Sequence, residues 1–212
     1  MSLFLGKIHY WLFNKILWFE GLEDKIIELA QKQGLNIDKL KEKINLKHGE
    51  KLPNKKLEEI IDTGNIHGWL QSKIHSSEGR MAMWTAAILD NDSNSLIKLE
   101  EIYKLQGLEA AKEVKSMQSI TNAKEIYNSI NDYILDGMPC DRVNEVIILE
   151  DEIVQWKRRT CVHKDIWEKE SLNVDIFYNL RDLWIKAFVN ELNHNFEYKK
   201  GNEEIYSIEI KK

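Results

Sequence analysis

An α+β fold, mostly helical, is predicted for this chain of 212 residues: an N-terminal helical bundle followed by a small four-stranded antiparallel sheet with helices. Two observations carry that expectation. Up to Asp136 apolar residues recur at helical spacing, whereas beyond Gly137 short β-branched and aromatic runs alternate apolar with polar positions. The change of period at Asp136-Gly137 divides the chain into a helical domain, 1–136, and an α+β domain, 137–212, which can share one core. At this length a core can be buried without disulfides or structural metals.

The opening segment, 3–19, places Leu5, His9, Leu12, Phe13 and Ile16 along one helical face, with Lys7, Asn14 and Lys15 opposite. It reads as a core helix, with a membrane-surface helix or the seam of a homodimer as alternatives. Its uncharged run, 8–13, is far shorter than the ~20 residues of a membrane span, so no transmembrane segment is expected. A second helix is expected over 20–33, ended by Gly34, and a third over 37–47, capped by Asn36 or Asp38. A fourth starts at Asn54, after Pro53, and breaks at Thr63-Gly64.

Asn65 then caps a long helix over 65–90. Leu70, Ile74, Met81 and Ile88 form its apolar stripe, and His67, Gln71, His75 and Glu78 form a polar column beside that stripe. Such a column either lines a ligand pocket or is a solvated edge. His67 and Glu78 lie about 16 Å apart along the axis, too far to share one ion, so this helix alone holds no complete metal site. Helices over 96–105 and 107–135 complete the helical part, the second kinked near Ser119 to Thr121.

Asp136-Gly137 stops the last of these helices, and Pro139 pre-sets an extended chain. The runs 143–149 and 153–160 then face each other across Glu150-Asp151-Glu152 as an antiparallel hairpin. A short helix over 165–169 leads to one over 174–192, with Ile176, Leu180, Leu183, Trp184 and Phe188 as its inner face. A second hairpin, 195–199 and 205–210, turns at Lys200-Gly201-Asn202.

With the first turn centred near Asp151, Cys140 falls beside Cys161, and His163 points to the same face. Cys140, Cys161 and His163 would then supply three ligands to zinc or iron. The same residues allow nucleophilic chemistry, with Cys161 held as a thiolate by His163 and by Arg142 or Arg159. Two further readings stand beside these: a redox disulfide, and cysteines that serve only as small apolar fillers.

The net charge of −5, from 30 basic and 35 acidic residues, argues against a nucleic-acid partner. Lys157-Arg158-Arg159 alternates faces on a strand and reads as a solvated edge. Two cysteines and no leader pattern point to the cytoplasm. No phosphate-binding Gly-rich loop, Gly-x-Ser-x-Gly elbow or His-Glu-x-x-His motif is present.

A strand pair ending in Thr160-Cys161-Val162-His163 is followed by a helix and then the hairpin Asn195-Phe196-Glu197-Tyr198 … Gly201 … Ile205-Tyr206-Ser207-Ile208. This order resembles the small sheet-and-helix domain of the L-2-amino-thiazoline-4-carboxylic acid hydrolase-like and 4-vinyl reductase-type bacterial proteins, over about residues 137–212. Where those proteins tend to carry another cysteine in the last strand, this chain has Tyr206 and Ser207. What the resemblance implies is chiefly a small-molecule-binding domain behind a helical N-terminal part. The expected function is therefore a cytoplasmic protein that binds a small molecule or a metal ion, with His67, His75 and Glu78 as ligand-binding residues and Cys140, Cys161 and His163 as metal ligands. The alternative is a cysteine-dependent hydrolase of a small amide or heterocycle, with Cys161 and His163 catalytic. A third is a structural protein-interaction module.

Overall fold

The structure, a computed structural model, describes residues 5–211. Eight α-helices and a four-stranded antiparallel sheet are found there, the sheet after most of the helices, as an α+β fold that is mostly helical. The described residues divide into two compact units. One comprises the chain up to Leu96 together with Asp165–Leu172; the other comprises Ile97–Lys164 together with the chain from Asn173. The change of period at 136–137 therefore lies inside the second unit. It marks a change of element, and the helix before it packs on the sheet that follows.

In the first unit α1 (Lys7–Lys32) is one helix where the sequence suggests two. The apolar stripe Leu12, Phe13, Ile16, Phe19, Leu22, Ile26 and Leu29 runs unbroken past Gly21 and buries against its neighbours. Gly34, at φ 77°, ends it, and the Leu35 N–H returns to the Ala30 carbonyl. The covered face leaves Ile8 and Leu17 exposed. Lys15, read as polar-side, is buried with its ammonium 3.9 Å from the Trp11 ring centre.

Asn36 caps α2 (Ile37–His48), its side chain accepting from the Lys39 N–H. The helix expected from Asn54 is reduced to one turn, α3 (Leu57–Ile60). Asn65 caps α4 (Ile66–Asn91) by accepting from the Gly68 N–H, and Leu70, Ile74, Met81 and Ile88 are all buried. α1 and α2 both pack on α4. At Gly79 a Cβ would lie 2.3 Å from His48 Nδ1, so glycine lets the end of α2 approach. The short α7 (Lys164–Lys169) brings Trp167, fully buried, into this unit.

In the second unit α5 (Leu96–Met117) continues straight through Gly107, where a break is expected from the sequence. A Cβ at Gly107 would meet the Trp184 carbonyl oxygen at 2.4 Å, so the glycine permits close helix packing. The chain then leaves helical geometry over 118–122, and Asn122 caps a separate α6 (Ala123–Asn131). The strands are β1 (Asn144–Leu149), β2 (Ile153–Arg158), β3 (Phe196–Lys200) and β4 (Ile205–Ile210), in the order β1-β2-β4-β3. α8 (Val174–Leu192) joins the two hairpins. Val154, Trp156, Tyr198, Tyr206 and Ile208 form the buried face of the sheet, covered by α6 and α8. Trp156 stacks on Tyr206 with ring centres 5.8 Å apart.

Among the described residues no helix is long and apolar enough to cross a membrane.

Candidate functional site

The first hairpin forms, but its register differs from the expected one. Val146 lies opposite Trp156 and Ile148 opposite Gln155, so Ile147 is a bulge. Pro139 starts a 3-10 turn, Pro139–Asp141, instead of an extended lead-in, and Arg142 follows at φ 48°. The Asp141 carboxylate accepts from the Met138 N–H and secures that turn. Cys140 is consequently exposed on a turn rather than aligned with Cys161. No group of three or more His, Cys, Asp or Glu among the described residues is arranged to hold a metal ion, so Cys140, Cys161 and His163 are not assembled as ligands for zinc or iron.

His67, His75 and Glu78 occupy three different surroundings in the first unit. His9 accepts from the Gly6 N–H at Nδ1, so its proton sits on Nε2, which lies 3.4 Å from His67 Nε2. His75 is exposed and accepts from Gln71 at 2.8 Å. Glu78 is buried and accepts from Trp167 Nε1 at 3.0 Å, which makes it a core partner. The three share a helix edge in projection, but from Ser77 to Thr85 every residue of α4 is buried, Glu78 included.

Two polar clusters do form. In the first unit Arg80, buried in α4, donates through Nε to both Glu23 oxygens at 3.0 and 3.1 Å and through Nη2 to Glu20. Its Nη1 reaches the Glu50 carbonyl at 3.2 Å and Ser76 Oγ at 2.9 Å. Glu20 also accepts from the Leu52 N–H. Every arm of the guanidinium is engaged, and the cluster pins the loop after α2 to α1 and α4.

The second cluster, in the second unit, is centred on Tyr178 of α8. Asp136, between α6 and β1, accepts at Oδ1 from His163 Nε2 at 2.9 Å and from Arg181 Nη1 at 2.7 Å. Its Oδ2 accepts from Asn144 at 2.8 Å. Burial opposes ionisation of Asp136, yet Arg181, His163 and Asn144 outweigh it and hold the carboxyl well below the usual range. His163 is buried with its ring centre 4.5 Å from that of Phe177. Its Nε2 donates to Asp136, which fixes the orientation of the ring.

Tyr178 donates through its hydroxyl to Cys161 Sγ at 3.1 Å. Burial pushes the phenol well above its usual pKa, so the hydroxyl stays a donor at neutral pH. The Arg158 guanidinium, at the end of β2, lies 3.4 Å from the Tyr178 ring centre and that of Arg181 lies 4.8 Å from it. Arg158 also pairs with Glu204. Two donors nevertheless lack an acceptor among the described residues: Arg158 Nη1 and Arg181 Nε are both buried and unbonded. Cys161, on the same tyrosine, is exposed.

Tyr178, Arg181 and Asp136 are not among the sequence-derived candidates, and Arg158 appears there only within a solvated edge. One signal points to Arg181. It lies on the helix face that also carries Phe177, Leu180, Trp184 and Phe188, and an arginine on an inward face must find a buried partner. Compared with known proteins, the chain matches no family model, no curated protein and no solved structure.

Proposed function

We propose that the chain is a small-molecule-binding protein and that the Tyr178 cluster of the second unit is its binding site. The observation that carries this reading is the pair of buried guanidinium N–H groups, Arg158 Nη1 and Arg181 Nε, that have no acceptor. Buried donors are nearly always bonded in folded proteins, and each one left bare costs about 1–3 kcal/mol. A charged donor pair kept at that cost, beside an exposed thiol, is better suited to receiving a ligand than to holding the fold together. Two free, exposed thiols also suit a reducing compartment, and the cytoplasm is where we place this activity.

A screen of small metabolites by thermal shift, followed by alkylation of Cys161, tests the reading. Compounds that raise the melting temperature are expected to slow iodoacetamide labelling of Cys161 in wild type, leaving labelling of Cys140 unchanged. Stabilising compounds that leave both thiols equally reactive would place binding elsewhere.

A further inference from the structure

The chemistry of the two unbonded donors names a class of ligand. We infer that the Tyr178 cluster binds an oxyanion, a carboxylate or phosphate group carried by a small molecule; this rests on reading the cluster as a binding site. Guanidinium N–H groups donate and never accept, so only a group that offers lone pairs can satisfy them. The Arg158 and Arg181 side chains are only 10% and 9% exposed, so bulk solvent has little access to either donor.

Charge then selects among acceptors. Asp136 already accepts from His163, Arg181 and Asn144, so its single negative charge is taken up on the Arg181 side. Arg158 faces Glu204, whose side chain is 47% exposed and therefore screened by water. The cluster is thus under-compensated on the Arg158 side, and a cation placed there would meet two guanidiniums. Both guanidiniums lie against one tyrosine ring, 3.4 and 4.8 Å from its centre, so the two donors belong to one cluster. Arginine favours an oxyanion because its planar fork matches carboxylate and phosphate oxygens.

The test uses the full chain with 15N-labelled arginine and follows the side-chain Nε–H resonances at constant ionic strength. Inorganic phosphate, benzoate and the neutral isostere benzamide are titrated separately. Saturable movement of the Arg181 Nε–H with phosphate, benzoate or both, and none with benzamide, is the expected result. Which anion acts tells phosphate from carboxylate as the natural group. Arg158→Gln is expected to weaken anion binding roughly tenfold or more, the worth of one charge-assisted hydrogen bond. Arg158→Lys keeps the charge without the fork, serves if the glutamine variant fails to fold, and is expected to recover binding only in part. Movement with benzamide but with neither anion would overturn the oxyanion while leaving a binding site in place. No movement with any probe would show that water holds both donors, and site and ligand class would fall together.

Discussion

Asp136 holds three donors that come from separate parts of the chain: Asn144 on β1, His163 after β2 and Arg181 on α8. Removing its charge strands a buried guanidinium, so Asp136→Asn is expected to cost about 3–5 kcal/mol in chemical denaturation. The pH dependence has a defined sign. Because the Asp136 carboxyl is held far below its ordinary value, its contribution is complete above about pH 4 and is withdrawn as pH falls through the depressed pKa. Glu23 has the opposite sign. Burial pushes it from 4.5 up to about 7, against the pull of Arg80 and Lys51, so its folded form holds a proton that the unfolded chain has lost. Stability from that proton is present below 4.5 and disappears as pH rises through about 7. Glu23→Gln is therefore expected to flatten the stability profile between these values. A variant whose stability still falls with wild-type slope across that window would remove Glu23 from the account.

At the scale of elements, the pair α5 and α8 depends on an absent methyl group. Gly107→Ala would put a Cβ against the Trp184 backbone, which has no flexible end to move aside, and a loss of about 1–3 kcal/mol is expected in thermal or denaturant melts. The cap of α4 is a milder case, and Asn65→Ala is expected to cost about 1 kcal/mol. These elements also show what was legible in advance. Asn36, Asn65 and Gly34 are local signals, and the helix ends they mark appear where the sequence places them. The strands were legible for the same reason, since alternation is read over a few neighbouring residues. Gly107 reads as a break in sequence because its role is a packing contact with a helix far along the chain. The candidate site was mostly illegible. Cross-strand pairing near Cys140 depended on a bulge at Ile147 and a turn at Pro139 that residue type does not announce. Asp136 looked like a helix stop, and Arg158 like a solvated edge, because the partners that bury them are distant in sequence.

At the scale of the whole molecule, the two units are interleaved along the chain. The first takes its described residues up to Leu96 and then Asp165–Leu172, while everything else belongs to the second. That late segment is not decoration. Trp167 is fully buried and donates to Glu78, and Glu170 accepts from Lys47 and His48. Trp167→Ala is expected to cost about 3–5 kcal/mol through the cavity it opens and the buried carboxylate it deprives of a donor. A fragment ending at Leu96 lacks this residue altogether. It is expected to show helical circular dichroism without a cooperative melt, and a sharp two-state transition in that fragment would contradict the role given to Trp167.

The position of α7 also governs the order in which the protein can be finished during its own synthesis. A ribosome releases the N-terminal helices long before Trp167, and the first hairpin of the sheet emerges in the interval. The early bundle therefore waits with its interior open while strands of the other unit are being delivered. It closes only when a few late residues arrive, and the final hairpin of the sheet still follows them.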